Sequence, residues 1–197
     1  WPDPVDWTET FDYKPSPKAE VETNGGETQA QSRWAAYLDV RALSHYKQTR
    51  NAFCGPMHSS HLSAWLAHGC LSARQVWSDT LAYELREGAN ESTYWLRFEL
   101  LWREYFRWYA RASDWTLFRR NGPNDKDVPG EHNSSRFYAW KTGHTNCDIV
   151  DAAMRELNET GWMSNRARQL VASYLIYELN LDWRLGAAYF ESQLIDF

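Results

Sequence analysis

Glu99, Trp102 and Arg103 stand close together in the stretch STYWLRFELLWREYFRWYAR, residues 92–111. On a helix, a carboxylate lies one turn before both an indole and a guanidinium at this spacing, so all three can share one cavity wall. Arg103, Arg107 and Arg111 recur at every fourth residue and form a cationic stripe. Beside it, Trp95, Phe98, Trp102, Tyr105, Phe106 and Tyr109 fall at helical spacings that predict a broad buried face. The plainest reading of Glu99 and Arg103 is an i,i+4 ion pair on the surface of a core helix. The sharper reading is a pocket for a phosphate-bearing aromatic ligand, in which rings stack on the base and guanidinium forks grip phosphate oxygens. A nucleotide or a flavin is the natural class.

A second segment, TGWMSNRARQ at residues 160–169, sets Trp162, Asn165, Arg166 and Arg168 at a predicted helix start. Free backbone N–H groups there favour an anion, and Asn165 and Arg168 can face one ligand. The alternative is an arginine that merely solvates a helix end. A third cluster, Ser59-Ser60-His61-Leu62-Ser63, offers hydroxyls and amides of the kind that hold phosphates, against the alternative of a routine serine N-cap. His58 and His61 would lie one turn apart on a helix, with Cys54 nearby and His68 further on. No second ligand cluster closes a shell around them, so no metal site is expected. The 12 tryptophans are assigned to core packing rather than to pigment binding.

The elements that must position these residues are helices. At 197 residues and 43% hydrophobic, the chain can build one sizeable core, and no apolar run approaches a bilayer span. A net charge of −5 confines any nucleic-acid contact to a local basic groove. Cys54, Cys70 and Cys147 are widely spaced without a CxxC pair, which points to a reducing, intracellular setting, with nucleus or organelle open. The chain opens on Trp1 without a basic and apolar leader, so any targeting segment is expected outside these residues. Pro2, Pro4, Pro15 and Pro17 mark residues 1–24 as a linker or surface arm, followed by a helical domain over residues 25–197. Helical patterning is expected from about Arg33. Ser72 is expected to cap a helix carrying Val76, Trp77 and Leu81. Asp148 or a neighbour should start the next, and Asp182 should cap the last. Residues 121–135, NGPNDKDVPGEHNSS, read as a loop. The fold class is all-α.

FELLWREYFRW, FYAWKTGHT, DIVDAAMRELNETGWMSNRARQLVASYL and LDWRLGAAYFESQLID, in that order, resemble the flavin-binding helical domain of the photolyase and cryptochrome family. GGET at Gly25, YKQTRN at Tyr46 and SSHLSAWLAHGCLS at Ser59 look most like its DASH-type branch, and the likeness runs from about Gly25 to Asp196. The resemblance implies an all-α fold holding FAD, blue-light excitation and, in repair members, electron transfer to a pyrimidine dimer in DNA. It also implies that Tyr46, Ser59, Ser60, Leu62 and Ser63 hold the phosphate and ribityl region. Arg103, Trp162, Asn165, Arg168 and Asp196 match flavin-facing positions. Glu99 and Trp102 match the pair that meets the damaged pyrimidines, and Trp183 matches the middle tryptophan of an electron relay.

Several departures accompany the resemblance. The family pattern continues past Asp196 with a second aspartate, an asparagine facing the flavin ring and the innermost relay tryptophan, whereas this chain ends at Phe197. The family's α/β antenna domain is expected outside these residues, and residues 1–23 resemble the connector that follows it, so the chain reads either as a fragment of a longer protein or as a retained helical body. Thr145-Asn146-Cys147-Asp148 replaces a TG-x-P stretch, and His61 stands where a basic residue is common. The flavin pocket is therefore expected to lack its C-terminal end, and photoreduction by the usual route to be broken. Core-helix rings should also be left uncovered. Two functions follow: a DASH-type flavoprotein that repairs or senses damaged, preferentially single-stranded DNA, or a non-catalytic structural subunit whose protein partners cover the exposed face.

Overall fold

The computed structural model describes residues 16–197, so the first fifteen residues of the expected arm lie outside the described part. Helices build the described chain: α1 (Glu27–Asp39), α2 (Tyr46–Thr49), α3 (Ser63–Ala67), α4 (Ala73–Glu87) and α5 (Glu91–Ser113), then α6 (Ser134–Thr142), α7 (Asp148–Thr160), α8 (Asn165–Ser173) and α9 (Trp183–Gln193). An isolated bridge between Glu131 and Leu181 is the one β-type pairing among the described residues. No described helix is long and apolar enough to cross a membrane.

The helix starts follow their caps. Ser72 accepts from the Arg74 amide to open α4, and Asp182 accepts from the Arg184 amide to open α9, as the sequence predicts. At α5, Asn90 and Thr93 form a reciprocal capping box. Asp148 and Asp151 occupy the first turn of α7, where negative charge complements the helix dipole. Helix α1 begins at Glu27, earlier than the expected Arg33. Its first turn is polar and solvent-exposed, so it carries no apolar periodicity to announce it.

The helices pack into two hydrophobic cores. Trp34, Tyr37, Leu43, Trp65, Val76 and Leu96 belong to the first, built on α1–α5. Trp140, Met154, Leu157, Met163, Val171 and Leu175 belong to the second, built on α6–α9. The cores meet where the His61 ring stacks on Trp162 at 4.6 Å between centroids. Nearby, His68 Nε2 donates to the Ile195 carbonyl at 2.8 Å. Residues 16–26 form no helix and lie against both halves. Lys18 pairs with Glu159 at 2.6 Å on the second, while the Trp65 indole of the first donates to the Asn24 carbonyl at 2.9 Å.

Helix α5 departs from expectation. Leu96 and Leu100 are buried, but Trp102, Tyr105 and Phe106 are 43%, 54% and 59% exposed. None of the six rings of the predicted face is buried: Trp95, Phe98 and Tyr109 are half-buried and the other three exposed, while the buried stripe runs through Thr93, Leu96 and Leu100. Beyond Leu100 the rings pack along their own helix, as Trp102 does on Phe106 at 5.6 Å. The expected Glu99–Arg103 pair is also absent: Glu99 binds Arg50, and Arg103 binds Glu104 and the Leu66 carbonyl.

Asp182 supplies a pH test of the second half. Its buried carboxylate is held down to about 2, first by the hydrogen bond from Arg184. A carboxylate below its ordinary range contributes stability above about pH 4 and loses that contribution as pH falls towards about 2. Asp182→Asn keeps the capping oxygen but should flatten this acid dependence in urea unfolding. Parallel pH profiles for the two proteins would show that the Asp182–Arg184 interaction contributes nothing.

Candidate functional site

A polar cleft of about 260 Å³ lies between the two cores. The first half contributes Tyr46 of α2, Arg50 just after it, Ser59, Ser60, Leu62 and Ser63 at the approach to α3, and Glu99 of α5. The second half contributes Trp162, the start of α8 with Asn165 and Arg168, and Asp196. The structure thus gathers residues from five separate stretches of the sequence into one concavity.

Local packing explains the serine wall. Arg33 reaches across from α1 and donates to the carbonyls of Pro56, Ser59 and Ser60, at 2.5, 3.3 and 3.0 Å. Those bonds fix the loop through its backbone, so the serine hydroxyls are not needed to hold it. Nor do they cap α3, whose N-cap is Leu62 without a side-chain capping bond, so the routine capping alternative fails. His61 adopts a left-handed backbone with φ of 55°, uncommon for a residue with a side chain and a recurrent feature of functional sites. Burial, and then the neighbouring His58, push its imidazole down to about 4, so the ring that stacks on Trp162 is neutral near pH 7.

Across the cleft, α7 ends at Gly161, where φ is 69°. A Cβ at Gly161 would lie 2.8 Å from Ile195 Cγ2, so the turn needs glycine for both its conformation and its close approach. The Ile195 amide donates to the Gly161 carbonyl at 2.9 Å, which brings Asp196 beside α8. Arg168 grips Asp196 in bidentate fashion at 3.0 and 2.8 Å and donates through Nε to the Met163 carbonyl at 2.8 Å. The Asp196 side chain is 1% exposed. On the opposite wall, Arg50 pairs with Glu99 at 2.5 Å, and the Trp95 indole donates to the same Glu99 oxygen at 2.9 Å. Burial, followed by the Glu99 charge, pushes the Tyr46 phenol up to about 12.

Every cofactor-facing residue expected from the sequence lines the cleft except Arg103, which lines a groove between α3, α4 and α5. Trp102 also lies outside the cleft, on the exposed part of α5. So does Trp183, whose indole donates to the Arg120 carbonyl at 2.9 Å. Sequence reasoning missed Arg50 as a cleft residue, although its place one turn after Tyr46 in YKQTRN was a usable signal. It also missed the direct bond between Arg168 and Asp196, which no local spacing reveals.

Residues 95–197 match the family model described as the FAD binding domain of DNA photolyase. A cryptochrome DASH from Idiomarina loihiensis is 51% identical over 173 residues, covering 88% of this chain and 38% of that protein. The crystal structure of Synechocystis sp. PCC6803 cryptochrome superposes with a TM-score of 0.91 at 45% identity, over 93% of this chain and 38% of the other. An archaeal photolyase from Sulfolobus tokodaii, solved with two FAD molecules, gives a TM-score of 0.70 at 30% identity, over 98% and 40%. The chain belongs to the FAD-binding domain family of DNA photolyases, and it spans about two fifths of the length of these relatives. FAD is the cofactor of that family.

The residues present suit such a group. The cleft, at about 260 Å³, is just smaller than the roughly 300–1,000 Å³ of small-molecule sites. It combines hydroxyls, an amide and a helix N-terminus, which can meet phosphate, with the rings of Tyr46 and Trp162. Arg168→Ala should lower stability by about 1.5–3 kcal/mol, because it removes the charge-assisted hydrogen bonds that hold the Asp196 carboxylate. Arg168→Ala with Asp196→Ala should recover part of that loss in urea unfolding. A double variant no more stable than Arg168→Ala alone would show that the pair is not what holds this wall.

Proposed function

We propose that the cleft holds FAD and that the chain serves a DASH-type flavoprotein that repairs pyrimidine dimers, preferentially in single-stranded DNA, or senses blue light. The observation that carries this reading is the convergence of Tyr46, Ser59, Leu62, Trp162, Asn165 and Arg168 on one cleft between two cores. Ser59, Ser60 and Ser63, with Asn165 at the start of α8, would hold the phosphate and ribityl oxygens. Trp162 and Leu62 would supply apolar contact, and the Arg168–Asp196 pair would fix the wall beneath. When bound, FAD supplies absorption of blue light and one-electron chemistry.

Glu99 is placed to act at the edge of this site. Its Oε1 is already taken by Arg50 and the Trp95 indole, which fix the carboxyl group and leave Oε2 to accept a hydrogen bond from a damaged pyrimidine. Trp102, 43% exposed one turn further along α5, offers a face on which a base can stack. With a net charge of −5, DNA contact must be local, and Arg103, Arg107 and Arg111 of α5 supply a cationic stripe, of which Arg103 and Arg107 share Glu104 as an ion-pair partner. Trp183 would serve as a relay residue outside the cofactor cleft, its ring anchored by the Arg120 carbonyl.

A second reading, a non-catalytic subunit of a larger assembly, draws on the exposed Trp102, Tyr105, Phe106 and Trp108 of α5, which a protein partner can cover. An absorption spectrum of the purified protein separates the two. Flavin bands, with light-dependent loss of dimers from single-stranded DNA or a light-dependent spectral change, support the flavoprotein. Protein without flavin that takes up no added FAD overturns it and favours the subunit. Within the first reading, Asn165→Ala should weaken FAD retention by about 0.5–1.5 kcal/mol, roughly twofold to tenfold. Glu99→Gln should keep FAD content near that of the parent while slowing dimer splitting, and equal repair by both proteins would reject the role given to Glu99.

A further inference from the structure

We propose that Glu20, His58 and His61 form a binding site for a divalent transition metal of the zinc class, which pins residues 16–26 to the loop before α3. One ligand atom from each of the three side chains lies within 4.8 Å of the others. Both imidazoles are buried, at 8% and 6% exposure, and the rings meet edge to face at 4.8 Å. Glu20 Oε1 accepts from the Gly55 amide at 2.7 Å. Its second oxygen, Oε2, is buried and has no hydrogen-bond partner. A carboxylate oxygen in that state is costly, and a bound cation removes the cost.

The surroundings have the form of a metal site's outer layer. The Gly55 carbonyl meets one nitrogen of each ring, His58 Nδ1 and, at 3.4 Å, His61 Nε2. Backbone carbonyls commonly accept the second N–H of a metal-bound histidine in this way, which fixes the tautomer and leaves the other nitrogen as a lone-pair donor. Two imidazoles and one carboxylate suit zinc, and three protein ligands leave a fourth position for water or an anion. An ion can reach the group, because His58 and His61 line the main cleft while Glu20 and His61 line a smaller cavity beside it. Cys54, which the sequence places near these histidines, is exposed and lies outside the group. Glu20 escaped the sequence reading because it comes from the arm, far from the histidines along the chain.

The proposal does not depend on flavin binding and is tested on flavin-free protein. The whole chain, stripped with a chelator, is titrated with zinc alone by calorimetry, and its thermal unfolding is followed in parallel. One saturable site that raises the unfolding midpoint is expected. Glu20→Gln and His61→Asn should each weaken it by at least the roughly 10–100-fold that loss of an outer partner costs. His68→Gln should leave it unchanged. Zinc X-ray absorption on the unsubstituted protein guards against variants that fail to fold, and should show two imidazole nitrogens with oxygen ligands. Absence of saturable binding, unchanged affinity in both variants, or a sulfur shell from cysteine would each overturn the proposal.

Discussion

A carboxylate as deeply buried as that of Asp196 must be neutralised where it sits, and Arg168 does so with two parallel hydrogen bonds. Much of the cleft's second wall depends on that pairing. It fixes residues 194–196 against α8, and the same segment passes so close to Gly161 that no side chain fits there. The turn at Gly161 in turn presents Trp162 to the histidines of the first half. Taking the charge out of water costs free energy, and the return is a rigid edge whose shape does not depend on flexible surface side chains.

The first wall is held differently. Arg33 gathers three loop carbonyls, and Arg50 locks Glu99, so the positions of both polar edges are set by arginines that reach across from other elements. Each arginine satisfies groups that would otherwise compete for the cleft's contents. What remains facing inward is a set of short hydroxyls and an amide, with charge already balanced in pairs. Such a surface discriminates by hydrogen-bond geometry more than by net attraction, which suits a ligand carrying sugar and phosphate oxygens beside an apolar ring.

How much of this was legible depended on how local each signal is. Ser72 and Asp182 were readable as caps because a cap is written within three residues. The segments SSHLS and TGWMSNRARQ were readable as site material because their residue types sit together in the sequence. Their convergence came from the family resemblance, since spacing cannot say that two loops face each other. The burial of α5 was misread for a related reason. Periodicity shows which rings share a face, whereas the stripe that neighbouring helices cover is the adjacent one through Thr93, Leu96 and Leu100. Glu99 was likewise paired with Arg103 by spacing, yet it binds Arg50, a partner visible only in three dimensions.

The seam between the two cores has a consequence for cooperativity. Each core is a separate cluster, and among the described residues the contacts across the joint include ring contacts of His58 and His61 with Trp162, an exposed carbonyl bond and a surface ion pair. Polar and ring contacts of this kind each contribute about 1 kcal/mol or less when exposed. Anything that fills the cleft touches both sides and adds directly to the coupling. A resident ligand there acts as a structural member: it sets how stiffly the halves are held to one another, and its departure slackens the joint while leaving both cores folded.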